Sequence, residues 1–290
     1  MKTRILILSM VLSVMAISCS KDKNDDDNTT ITAEEAGINS KIDIANDDSI
    51  DIITEQENNT YANTSGRTTD ISSSVIAPCA NVIRVPAFGT AVQVGQTVTK
   101  TIDFGTNGCT LPNGNVVKGI IVISFVYEPN ATSHTVTYTF NNFYHNDIKF
   151  NGTKTFTRTM TTGAAPHPIV TMNMDLTATL ADGRVFTRTG QRIREHIEGA
   201  GNTSWTDDVY SVTGSWTTTF PNTTVQTATI TTPLIVKMSC VSQNKPLIVQ
   251  GIITFVRGAH SATLNFGDGT CDNLAIFTKD GVSVQITIGR

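Results

Sequence analysis

The chain has 290 residues, a formal net charge of -4, 39% hydrophobic residues and 16% charged residues. That composition is too apolar for a disordered chain, and too weakly charged, with the wrong sign, for a nucleic-acid binder. The length suffices to bury a core in one or two domains.

Residues 1–18 read as a bacterial lipoprotein signal peptide. Lys2 and Arg4 give a positive start, and residues 5–17 are an apolar run shorter than the ~20 residues that span a bilayer. The segment Met15-Ala16-Ile17-Ser18-Cys19 resembles a lipobox, which implies cleavage before Cys19 and acylation of that residue. Acyl chains, at about 0.8 kcal/mol per buried methylene, then hold the protein on a membrane. The residues that follow, Ser20 to Asp27, are polar and acid-rich. They resemble the start of Bacteroidota lipoprotein tethers, where acids behind the lipidated cysteine direct export to the cell surface. The expected location is the outer membrane, lipid-anchored and surface-exposed, with the periplasmic face as the alternative.

Charge divides the chain. Residues 20–75 hold 13 acids and 4 bases, a net of -9, whereas residues 76–290 hold 15 bases and 12 acids, a net of +3. The expectation is an acidic flexible tether over 19–75, because such a segment cannot bury enough apolar surface to offset its ordering entropy. Within it Ile38, Ile42, Ala45, Ile52 and Ile53 follow helical spacing, which predicts a short helix lying on the body. Asp48-Ser49-Ile50 resembles the O-glycosylation acceptor of Bacteroidota, which implies a glycan on Ser49.

From residue 76 onward the periodicity is two. Val170, Met172, Met174, Leu176, Ala178 and Leu180 alternate with polar residues, as do Val282, Val284, Ile286 and Ile288. This is the pattern of strands with one buried face. Residues 76–290 contain 38 Thr, which suits the solvated face of a sheet and disfavours helix. Turn signals such as Pro112-Asn113-Gly114 and Asp182-Gly183 punctuate the runs. The long runs between 117 and 220 predict strands above the usual ~5–6 residues. The fold expected for 76–290 is all-β: a large antiparallel meander of long strands forming a curved sheet, sandwich or half-barrel. Two apolar stretches, 117–127 and 247–256, require cover on both faces.

The two ends of this body echo each other. Thr101-Ile-Asp-Phe-Gly-Thr-Asn-Gly-Cys109 parallels Thr263-Leu-Asn-Phe-Gly-Asp-Gly-Thr-Cys271, and each has a cysteine upstream, Cys79 and Cys240. Four cysteines in an exported body suggest two disulfides with three connectivities, of which the repeat favours Cys79–Cys109 and Cys240–Cys271. The order Asp103-Phe104-Gly105, Phe140-Asn141-Asn142-Phe143-Tyr144, Trp205-Thr206-Asp207-Asp208-Val209-Tyr210 and Asn265-Phe266-Gly267-Asp268-Gly269 resembles uncharacterised Bacteroidota surface lipoproteins. That resemblance implies a β-rich envelope lipoprotein and brings no catalytic residues with it.

Chemistry is sparse. His134, His145, His167, His196 and His260 show no metal-type spacing, and neither C-x-x-C nor G-x-S-x-G occurs. No metal, no cofactor and no catalytic residue is predicted. Glu195 and His196 fall on opposite faces of a strand, so they make a poor dyad. Arg184, Arg188, Arg192 and Arg194 all have even numbers on one strand and share a face, which Phe186 and His196 join and to which Arg158 and Lys154 can add. Such a row could grip anionic sugars or lipid phosphates, or serve as a solvated edge that blocks aggregation. Trp205, Tyr210 and Trp216 read as core. The leading functional expectation is a non-enzymatic structural or binding module that engages the membrane through Cys19 and a cell-surface glycan or envelope protein, not nucleic acid. One alternative is a carrier of an apolar or anionic ligand, with an accessible concave face lined by Met172, Met174, Leu176 and Phe186. The other is a hydrolase whose site assembles from distant strands.

Overall fold

The structure is a computed structural model that describes residues 30–64, 74–202 and 204–289. Residues 1–18, expected to be a signal peptide, and Cys19, the expected acylation site, lie outside the described residues. Fifteen strands form one antiparallel sheet: β1 (Asn81–Val85), β2 (Thr97–Asp103), β3 (Cys109–Thr110), β4 (Val116–Val126), β5 (Ser133–His145), β6 (Ile148–Asn151), β7 (Thr153–Met160), β8 (Pro168–Thr179), β9 (Val185–Glu198), β10 (Val209–Thr219), β11 (Val225–Lys237), β12 (Ile248–Arg257), β13 (His260–Asp268), β14 (Leu274–Lys279) and β15 (Val282–Thr287). Neighbours in sequence are neighbours in space, except that β3 folds back on β4, and β6 and β7 together bridge β5 to β8. The meander and its long strands, 14 residues in β9 and 13 in β5, follow the period-two pattern.

The alternation sorts the residues between two faces. Along β5, Val136, Tyr138 and Phe140 point inward while Thr135 and Thr139 point outward. The outward threonines meet across strands: Thr135 and Thr157 hydroxyls are 3.2 Å apart, and those of Thr139 and Thr153 are 3.0 Å apart. Two glycines mark irregularities in the ladders. Gly119 (φ 82°) sits where the β4–β5 register shifts, and a Cβ there would lie 2.0 Å from the Asn142 carbonyl oxygen. Gly214 (φ 133°) marks the β10–β11 shift and abuts the Gln191 carbonyl. The two disulfides join Cys79 to Cys109 and Cys240 to Cys271, with Cα–Cα distances of 5.5 and 5.3 Å. Each closes a loop of about 30 residues on a sheet end.

The acidic segment is where structure and sequence reading part. Instead of a flexible tether carrying a short helix on the surface, residues Ala33–Thr64 form one helix, α1, of 32 residues. Thr32 and Glu35 cap its start reciprocally: the Thr32 backbone N–H donates to Glu35 Oε2 at 3.1 Å, and the Glu35 N–H donates to Thr32 Oγ1 at 3.2 Å. Ile42, Ile44, Ile50, Ile52 and Ile53 are all buried, as are Asp43, Asp47, Asp48 and Asp51. These residues point in every direction around the axis, so no single face is turned to solvent. The partners of α1 come from distant parts of the sheet: Lys100 of β2, His145 of β5, Met172 of β8, Arg188 of β9 and Arg257 of β12. Strands that far apart can reach one helix only if the sheet curls around it. Near the helix end Tyr61 stacks on Tyr127 at 5.1 Å. The inner side of β4 and β12 faces this helix rather than a second sheet, but the cover expected on their outer side is missing among the described residues: Val126 and Val256 are 44% exposed there.

Candidate ligand cleft beside the helix

The reason α1 can sit inside a sheet is electrostatic. Its 32 residues hold eight acids and one base, and the inner face of the sheet supplies the cations. Asp43, Asp47 and Asp51 recur every fourth residue and so share a stripe. Arg188 Nη1 donates to Asp43 Oδ1 at 2.5 Å, Arg192 Nη2 to Asp47 Oδ2 at 3.3 Å, and Arg194 Nη1 lies 2.6 Å from Asp51 Oδ1. Asn39 adds a carbonyl to Arg188 Nη2 at 2.6 Å. Farther along, Asp48 accepts from Asn113 and Asn115 at 2.8 Å each and meets His145 Nε2 at 2.7 Å.

The arginine row therefore has a different role from the one read in the sequence. Parity placed Arg188, Arg192 and Arg194 on one face correctly, but that face is the inner one, and its anions belong to the protein's own helix. Arg184 alone stays half-exposed, paired with Asp182 at 2.7 Å and Glu34 at 2.9 Å. Lys154 is also drawn inside, its Nζ 3.3 Å from Asn46 Oδ1 and beneath the Phe140 ring. Burial, helped by Arg188 and Arg192, pushes its ammonium down to about 7. The glycan expected on Ser49 has no room, because Ser49 is buried and its hydroxyl donates to the Ala45 carbonyl at 2.7 Å. The open apolar channel of a carrier is likewise filled: Met172, Met174, Leu176 and Phe186 are all buried.

Where the β7–β8 and β9–β10 connections meet, the sheet leaves α1 partly uncovered. A cavity of about 440 Å³ opens there, lined by Thr54 and Asn58 of the helix, Arg158 of β7, Arg194 and His196 of β9, and Trp205, Asp208 and Tyr210. The three aromatics expected in the core separate: Trp216 is buried, while Trp205 and Tyr210 are only half-buried and line this cleft. The Arg194 guanidinium lies 3.7 Å above the Tyr210 ring. The Tyr210 hydroxyl donates to Asp208 Oδ2 at 3.0 Å, and burial drives its pKa up. His196 Nε2 approaches Asp208 Oδ1 to 3.0 Å, though not at a hydrogen-bonding angle. Glu195 turns to the other face, where it meets His167 at 2.8 Å. Burial raises Asp51 to about 6 against the pull of Arg194. Among the described residues no cluster of three or more His, Cys, Asp or Glu could hold a metal ion.

Glu57 gives this region a measurable pH response. Its side chain is buried without a hydrogen-bond partner among the described residues, and burial raises its pKa from 4.5 to about 7, with Arg158 opposing. Because the folded state holds this proton more tightly than the unfolded chain, its contribution is full below pH 4.5 and is lost as pH rises through 7. Asp51 acts with the same sign over a lower window, whereas Lys154 acts with the opposite sign above pH 7. Urea unfolding is expected to show stability falling between pH 5 and pH 7, and Glu57→Gln is expected to flatten that slope and to stabilise at pH 8 by about 1–3 kcal/mol. An unchanged slope in the variant would assign the response to other groups.

Comparison of the chain with protein-family models, with curated proteins and with solved structures returns no match.

Proposed function

We propose that the protein is a lipid-anchored envelope lipoprotein of the Bacteroidota type that acts as a non-enzymatic binding module. In this reading the curled sheet is a rigid scaffold, and its own helix fills the interior. Binding is left to the cleft over α1. The observation that carries the reading is this cleft of about 440 Å³, where charged, polar and aromatic side chains, among them Arg158, His196, Trp205 and Tyr210, line one opening beside α1. Two disulfides in the body support an oxidising compartment. Lys2, Arg4, the apolar run and Ser18-Cys19 support export and acylation. A binding role is favoured over hydrolysis by the state of the cleft's groups. Burial and its hydrogen bond to Asp208 keep the Tyr210 phenol protonated, so it is not available as a base, and Arg194 is a fixed cation. The test is fractionation of the native host. Wild-type protein is expected in the outer-membrane fraction with an acylated Cys19 by intact mass, and Cys19→Ala is expected to leave that fraction. The same distribution for both forms would overturn the anchored reading.

A further inference from the structure

Lys154 on β7 and Asn46 on α1 form a buried pair that the binding reading does not use. They are 108 residues apart in the chain, and 3% and 2% exposed. Lys154 Nζ donates to Asn46 Oδ1 at 3.3 Å, and Asn46 Nδ2 lies 3.0 Å from Met172 Sδ. The rings of Phe140 and Tyr138 are 5.1 and 5.8 Å from the same lysine nitrogen. Lys154 pairs with no carboxylate among the described residues. Asp175, the acid that attracts it, sits on the exposed face of β8, while Arg188 and Arg192 repel its charge. A lysine desolvated among rings and beside other cations gives up its proton and becomes a nucleophilic amine. Its target is at hand, because Asn46 Cγ is one bond beyond the oxygen that Nζ already touches. Holding amine and carboxamide together in a closed interior replaces a chance encounter by a rotation of the lysine's last bonds. It also keeps out water that would compete for the same carbon.

We infer that the folded protein joins these two side chains covalently, by an isopeptide bond between Lys154 Nζ and Asn46 Cγ. The lone pair of the neutral amine attacks Cγ, and the carbonyl π electrons move onto Oδ1. Collapse of this tetrahedral adduct re-forms the carbonyl and breaks the Cγ–Nδ2 bond. The proton that Nζ gives up ends on Nδ2, so ammonia leaves and one amide replaces another without an oxidant or a second reactant. Arg188 and Arg192, whose positive field reaches Lys154, favour the negative charge on Oδ1 in the adduct. Asp43 is three residues before Asn46, on the same side of α1, and its Oδ2 has no hydrogen-bond partner among the described residues, so it can carry the proton. The bond ties α1 to β7 inside the sheet. The joined nitrogen no longer titrates, so the response above pH 7 assigned to Lys154 belongs to the unjoined form.

The test is mass spectrometry of the purified full chain after reduction and denaturation. Lys154→Arg is expected to be heavier than wild type by the substitution plus one ammonia. Lys41→Arg, at an exposed position on the same helix, is expected to differ by the substitution alone. A tryptic digest of wild type should yield a branched peptide joining 42–67 to 150–158, because the acylated Lys154 is no longer cleaved. Asn46→Ala should release 150–154 as a separate peptide. The branched peptide needs only the wild-type chain, so it decides the matter even where a variant does not fold. Unbranched 42–67 as the sole form, with masses that differ by the substitutions alone, would overturn the inference. An ammonia loss that survives Lys154→Arg would also overturn it, since the loss would then come from elsewhere, such as a succinimide at Asn151-Gly152.

Discussion

Asp43→Ala is expected to destabilise the fold by about 3–5 kcal/mol, because it strands a guanidinium that water cannot reach. Arg188 and Arg192 are both 0% exposed, and Asp43 Oδ1 lies 2.5 Å from the first and 3.8 Å from the second. Removing Asp47 as well takes the remaining carboxylate from Arg192, so the double variant is expected not to fold at 37 °C. The pair is not thereby a large net source of stability. Desolvating both charges costs nearly what their attraction returns, and Asp43→Leu with Arg188→Met should recover most of the loss. A double-mutant cycle by urea unfolding checks this, with Asp182→Ala as the control. Both members of that pair are exposed to solvent, so that change should cost far less than Asp43→Ala. Equal costs for Asp43→Ala and Asp182→Ala would mean that α1 is not held as described.

Trp216→Ala is expected to cost about 3–5 kcal/mol, the range for emptying a large aromatic from a packed interior. Trp216 on β10 is 2% exposed and lies beneath two of the arginines that grip the helix, 5.0 Å from Arg188 and 5.8 Å from Arg192. The ring therefore fills volume and also fixes two long side chains over its negative face. Trp216→Phe keeps a ring under the guanidinium groups and removes an indole N–H that has no acceptor among the described residues. It should cost under about 2 kcal/mol. If alanine and phenylalanine cost the same, the contact with the arginines contributes nothing beyond burial.

The sheet was legible because its signal is local. Strict alternation in Val170–Leu180, the threonine content and the Asp182-Gly183 turn each follow from backbone geometry within a few residues. The cysteine pairing was legible from the internal echo of the two Phe-Gly segments. The interior is not, because its signal is split between two segments far apart in the chain. A run of net -9 looks unable to fold alone, and the helical spacing of Ile38, Ile42, Ala45, Ile52 and Ile53 within it predicts no more than a short helix on the surface. What it has is a row of acids at 43, 47 and 51 that matches a row of arginines at 188, 192 and 194, more than 130 residues away. Reading the two rows together, with Thr32-x-x-Glu35 as a cap, would have placed a helix against β9. Each row taken alone pointed outward, one to a solvated tether and the other to a ligand. The cleft was invisible for a related reason: Arg158, Arg194, Trp205 and Tyr210 converge only once the sheet has curled around the helix.

The central claim, that the acidic segment is the core of the fold, is tested most directly by native-state hydrogen exchange of the purified protein. Backbone amides 38–57 are predicted to exchange as slowly as those of β5 and β9, in one cooperative unit with the sheet. Exchange of those amides within seconds at neutral pH, beside a protected sheet, would contradict the account and return the segment to the role of a tether.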